Sequence, residues 1–168
     1  MVEIREEQPA DRAGVAAVNR AAFGGEDEVK LVEALHHEGD VVAALVAVEA
    51  GEIVGHILFS RLPIETDEGL LPAVALAPMA VRPDRQFKGI GSALVRKGLE
   101  MARERGATAA VVLGHPDYYP RFGFSANWAR GLEAPYAGSD AFMAMELVPN
   151  GLGTGDGVVH YAAPFGDL

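Results

Sequence analysis

Apolar residues along this chain follow two spacings, a period of two in some stretches and a helical period in others. Residues 2 to 6 alternate and predict a short strand. From Pro9 to about Phe23 the spacing is helical, with Val15 and Val18 on one side, until Gly24-Gly25 breaks it. Residues 26 to 38 resume it through Val29, Val32 and Leu35. Two apolar runs near 41 to 50 and 52 to 61 meet at Ala50-Gly51-Glu52, a tight hairpin signal. Residues 62 to 70 contain Pro63, Asp67 and Gly69 and read as a loop. A strand follows from about Leu71 to Val81 with Pro78 inside it. Proline donates no ladder hydrogen bond, so this residue is expected at an edge or bulge.

A helix from about Gly89 to Arg105 turns Leu94, Val95, Leu99, Met101 and Ala102 inward and Arg96, Lys97 and Arg103 outward, and Gly106 ends it. Residues 108 to 114, TAAVVLG, predict a buried strand. Strand, glycine turn, helix and strand in this order build a right-handed crossover between parallel strands. A short helix near 117 to 122 and strands near 141 to 148 and 157 to 162 complete an α/β (α+β) pattern. Gly151, Gly153, Gly155 and Gly157 form a sparse tether to which no ligand role is given.

Composition narrows the function. A chain of 168 residues suits a single domain, 1–168, with its own core. An apolar fraction of 49% and a charged fraction of 23% are those of a soluble globular protein. No apolar run approaches the ~18 residues of a membrane span, and MVEIREEQPADR is not a signal peptide. With no cysteine, disulfides, thiolate nucleophiles and cysteine metal sites are excluded, and a cytoplasmic location is the plain expectation. The net charge of −10 argues against nucleic acid and suits substrates that arrive as cations. His36-His37 reads as surface, because adjacent residues diverge on a helix, and no metal site is expected.

Against this acidic background, Arg82, Arg85, Lys88, Arg96 and Lys97 face only one acid, Asp84, within residues 82 to 97. Gln86, Gly89 and Gly91 fall in the spacing Q-x-x-G-x-G where a strand gives way to a helix. A helix start offers unpaired N–H groups and a positive dipole end, and glycine lets a ligand approach the backbone. A phosphate-bearing cofactor is therefore expected. The run G-x-x-x-x-G-K-[ST] of a P-loop is absent, as is the third glycine of a dinucleotide fingerprint.

The segment MAVRPDRQFKGIGS, residues 79 to 92, resembles motif A of the GNAT superfamily of acetyl-CoA-dependent N-acetyltransferases. LGHPDYYPRFGF, residues 113 to 124, resembles its second signature, in which a tyrosine precedes Gly-Phe by four residues, as Tyr119 precedes Gly123-Phe124. The resemblance extends from Ile4 to about Phe165. It implies the acyl-CoA N-acyltransferase fold, a mixed splayed central sheet flanked by helices, with a bulge at Pro78 opening a wedge. It also implies acetyl-CoA as co-substrate, contacted by Met79, Ala80, Val81, Gln86, Phe87, Lys88, Gly89, Ile90, Gly91 and Ser92, with Arg85 or Lys88 adding charge. The acceptor would be a small-molecule or peptide amine, attacking directly in a ternary complex; a homodimer is compatible. The family's asparagine after the fifth strand is replaced here by Gly114-His115-Pro116.

Tyr119 is the expected general acid, with a role in packing against the cofactor, or transfer of the acid role to Tyr118, as alternatives. Residues 71 to 81 contain no acid, so the base is sought elsewhere, first at His115. His56 could face either the substrate or the helix layer. Glu26 and Glu28 lie where the family's acceptor pocket is bordered, and a solvated helix start explains them equally well. The alternative from another class is a catalytically idle acyl-CoA-binding domain.

Overall fold

The computed structural model describes residues 1–167. Its elements run β1 (Val2–Glu6), a 3-10 turn (Pro9–Asp11), α1 (Arg12–Phe23), α2 (Asp27–Glu38), β2 (Val41–Glu49), β3 (Glu52–Thr66), β4 (Gly69–Val81) and α3 (Ile90–Glu104). There follow β5 (Ala109–Leu113), a 3-10 turn (Tyr119–Phe122), β6 (Leu132–Glu133), β7 (Phe142–Glu146) and β8 (Gly157–Val159). The main path of the sheet has the order β1-β2-β3-β4-β5-β7, with β8 added on β3 and β6 on β8. Among the described residues only β4–β5 and β6–β8 pair in parallel. This is the mixed α/β sheet expected.

Alternation along β3 feeds two cores, one on each face. Ile57 and Phe59 join Leu94, Val95, Phe124 and Met143 beneath α3. Leu58 joins Val15, Leu31, Val32 and Leu35 beneath α1 and α2. Further along the same face, Leu62 and Ile64 pack with Phe142 and Leu152 of the C-terminal segment. The seat of α3 depends on a missing side chain. A Cβ on Gly98 would lie 2.2 Å from Cε2 of Phe59, which is fully buried. The helix can therefore lie directly on the ring.

The expected loop at 62 to 70 is instead the far half of the β3–β4 hairpin, which turns only at Asp67-Glu68. Pro63 and Pro72 sit opposite each other in the register. Their carbonyls serve other segments, accepting from His160 N at 3.0 Å and Thr108 N at 2.9 Å. Two prolines are thus tolerated because neither is asked for a proton.

Pro78 does mark a bulge. The register steps from Ile57↔Met79 to Phe59↔Leu76, so Ala77 and Pro78 together oppose Leu58. On its other side β4 pairs with β5 only from Ala73↔Ala109 to Leu76↔Val112. Beyond Leu76 the two strands part, and β4 runs on to Val81 with that edge open. The sheet is splayed where the sequence placed the wedge.

Candidate functional site

The open edge of β4 forms one wall of a cavity of about 620 Å³. Met79, Ala80 and Val81 line it, as do Arg85, Gln86, Phe87, Gly89, Ile90, Gly91 and Ser92 from the turn and first residues of α3, and His115 after β5. Ala22 and Phe23 close it from the end of α1, and Tyr118 and Arg121 from the 3-10 turn after β5. Two expected residues stand apart. Lys88 is exposed on the turn and does not line the cavity, and Tyr119 lies behind Tyr118.

Local chemistry shapes the turn. Gly89 is the N-cap of α3 at φ 84, a left-handed conformation in which a Cβ would be strained, and no side chain caps the helix. Ala93 N reaches Gly89 O at 3.1 Å, so the amides of Ile90, Gly91 and Ser92 are left without intrahelical acceptors. Gln86 folds back, its Nε2 donating to Val81 O at 3.1 Å, and ties the turn to the end of β4. Phe87 follows at φ 64 with its side chain fully exposed, an uncommon conformation for a bulky residue.

The basic cluster is less free than its sequence suggests. Arg85 pairs with Glu49 and Asp84, and Arg82 with Glu52 and Asp84. The hydrogen bond from Arg85 holds the Glu49 carboxyl below its ordinary pKa. Arg121, which sequence reasoning missed, lines the cavity with its guanidinium 4.5 Å from the centre of the Tyr118 ring. The signal was the i, i+3 spacing of Tyr118 and Arg121 on one short turn. Ala22 and Phe23 gave no signal, because only the packing of α1 brings its end to β4.

The two tyrosines part company. Tyr118 faces the cavity, and its hydroxyl lies 3.1 Å from Ser92 Oγ. Tyr119 is 8% exposed, packed edge-to-face on Phe124. A Cβ on Gly114 would lie 2.4 Å from its Cε2, so glycine in place of the family's asparagine makes room for this ring. Burial, with a smaller contribution from Tyr118, pushes the Tyr119 phenol up to about 12.

The remaining candidates are settled by contacts. His56 faces the helix layer and is fully buried. Glu26 is paired with Arg20 at the end of α1, an exposed ion pair. His36 is not simply surface, since its Nε2 lies 3.1 Å from Glu7 Oε2. Among the described residues no group of three or more His, Cys, Asp or Glu is arranged to hold a metal, and no helix is long and apolar enough to cross a membrane.

Comparison with known proteins agrees with this geometry. A family model described as an acetyltransferase (GNAT) domain matches residues 3–126. The uncharacterized N-acetyltransferase YhbS of Escherichia coli K12 is 34% identical over 164 residues, covering 96% of this chain and 97% of the relative. The crystal structure of YhbS in complex with CoA superposes with a TM-score of 0.89 over 98% of this chain and 92% of that one. A GNAT family acetyltransferase from Brucella melitensis, solved with acetyl-CoA, is also 34% identical, with a TM-score of 0.81 and 98% of each chain covered.

Proposed function

The chain belongs to the GNAT acetyltransferase family, and from that premise we propose that it moves an acetyl group from acetyl-CoA to an amine acceptor. The reaction is carried by one domain, residues 1–168. One observation supports this reading above all. The edge of β4 that opens beyond Leu76 runs directly into an uncapped helix start at Gly89. A linear co-substrate with an anionic end fits that continuity. Its pyrophosphate meets the amides of Ile90, Gly91 and Ser92, helped by the dipole of α3, with Gln86, Phe87 and Lys88 around it and Arg85 and Arg121 adding charge. Its pantetheine arm runs along Met79, Ala80 and Val81, where the N–H groups of Met79 and Val81 point to the open edge, while Ala80 faces β3, and those donors also stabilise the oxyanion formed at the thioester carbonyl.

The acceptor amine, on a small molecule or a peptide, attacks that carbonyl directly, since the chain has no cysteine to carry the acetyl group. His115, on the cavity wall, takes the amine proton. The thiolate that departs needs a proton in return. Tyr118 supplies it, because it alone of the two tyrosines lines the cavity. Tyr119 keeps a claim through its spacing to Gly123-Phe124. However, a phenol held at about 12 is a poor donor. Protonating a thiolate of ordinary pKa near 8.5 from it costs on the order of 5 kcal/mol.

Calorimetry with CoA, followed by thiol release from acetyl-CoA over pooled amines, tests the reading. Binding together with amine-dependent release is expected. Tyr118→Phe should lower kcat at least tenfold with CoA affinity nearly unchanged, and Tyr119→Phe should do less. Absence of CoA binding would sink the proposal. Binding without release to any amine would favour an idle acyl-CoA-binding domain instead.

A further inference from the structure

Behind the cavity lies a buried polar chain that the transfer chemistry does not use. Asn19 of α1 and His56 of β3 are both fully buried. The Asn19 amide nitrogen donates to Val15 O at 3.0 Å and to His56 Nδ1 at 3.1 Å. His56 Nδ1 is therefore an acceptor, and the ring proton sits on Nε2, which donates to Glu7 Oε1 at 2.9 Å. A carboxylate can only accept, so both ends of the chain select the same neutral tautomer. The other Glu7 oxygen is approached by Arg12 Nε at 3.0 Å and His36 Nε2 at 3.1 Å. β2 and β4 present only Val46 and Ala80 to His56 in the register.

The arrangement is costly for mere packing. Asn19 Oδ1 is buried without a partner, a penalty of the kind that an apolar residue avoids. Asparagine is also a weak helix former. Yet both ends of the Asn19–His56 bond lead to the cavity. Ala22 and Phe23, three and four residues beyond Asn19 on the same helix, line one wall. Ala80, the direct neighbour of His56 across the strands, lines another.

We infer that Asn19 and His56 are positioning residues for acetyl transfer. Their hydrogen bond fixes the end of α1 against β4 and so sets the width of the cavity where the thioester and amine meet. This rests on the transferase reading above.

The test compares three variants with the wild type, reading kcat and CoA affinity separately. Asn19→Leu removes the bond but keeps the branched shape of the side chain. Its kcat should fall on the order of 10- to 100-fold, as expected for misplaced reacting groups, while CoA affinity, held by the start of α3, changes less than about threefold. Val159→Ala, in the core far from the cavity, controls for lost stability and should leave kcat unchanged once both proteins are assayed below their melting points. Asn19→Asp separates positioning from folding. Its carboxylate can only accept, so it holds His56 only if the ring proton moves to Nδ1, and the bond from Nε2 to Glu7 is then lost. Its kcat should therefore lie between those of Asn19→Leu and the wild type, with CoA affinity changed less than about threefold. If Asn19→Leu matches Val159→Ala in kcat, or Asn19→Asp keeps the wild-type kcat, positioning is refuted while the transferase reading stands. A wild type that binds CoA but transfers to no amine refutes both.

Discussion

Gly98→Ala puts the packing of α3 under direct test. An added Cβ would stand 2.2 Å from Phe59 Cε2 and 2.9 Å from Cζ, against the ~3.5–4.0 Å of an ordinary carbon contact. Phe59 has nowhere to retreat, being fully buried at the centre of the sheet. Gly98 lies mid-helix, so α3 must lift as a body by about 1 Å or more. Overpacking of this kind costs about 1–3 kcal/mol, and the upper half of that range applies to a clash with a rigid ring. Alanine returns roughly 1 kcal/mol in helix propensity. The net loss is then about 1–2 kcal/mol, a fall of roughly 3–6 °C in melting temperature for a chain of this size. Because α3 carries the amides of Ile90, Gly91 and Ser92, CoA affinity should fall as well. Scanning calorimetry on Gly98→Ala, Phe59→Leu and the double variant reads the coupling. The double variant should be more stable than the sum of the single losses by at least about 1 kcal/mol. Additive losses, or a Gly98→Ala protein as stable as the wild type, would show that glycine is not there for Phe59.

Three further perturbations follow from other sites. Burial raises the Glu7 pKa, but the close approach of His36 and the hydrogen bond from His56 outweigh it and hold the carboxyl at about 2 against an ordinary 4.5. Stability of the order of 3 kcal/mol is therefore present above pH 4.5 and lost as pH falls toward 2; chemical denaturation of Glu7→Gln across that window should lack this slope. Phe87→Gly relieves a left-handed φ of 64 on an exposed turn and should raise stability by roughly 1 kcal/mol in a thermal melt. The same change should weaken CoA binding by calorimetry if the ring serves the ligand, and an unchanged affinity would remove Phe87 from the site. Ser60 is fully buried with an unpartnered hydroxyl. Ser60→Ala should therefore be neutral or stabilising by up to about 1 kcal/mol, and a loss above that would reveal a partner for the hydroxyl.

The cavity wall built by the end of β4 and the start of α3 was legible because its signals are local. Two glycines, a glutamine and the apolar run before them lie within a few residues of one another, and backbone chemistry over that distance follows from residue type alone. Pro78 could be placed at a bulge for the same reason, since a missing amide proton has few tolerable positions in a sheet. Pro63 shows the limit of that logic. It has the same missing proton, but whether a strand can continue through it depends on Pro72 opposite and on His160 and Thr108 arriving from distant segments. The basic patch was misjudged by the same omission: Arg85 and Glu49 are 36 residues apart, and only the registers of β2 on β3 and of β3 on β4 bring them together. The tyrosine pair is the sharper case. A spacing of four before Gly-Phe selects Tyr119, while the direction each ring takes from the turn is set by Gly114 making room for one of them and Ser92 meeting the other. Sequence motifs thus locate the turn that lines the cavity. Which of two adjacent side chains faces the cavity is decided by the packing around that turn, and here the packing turns Tyr118 toward it.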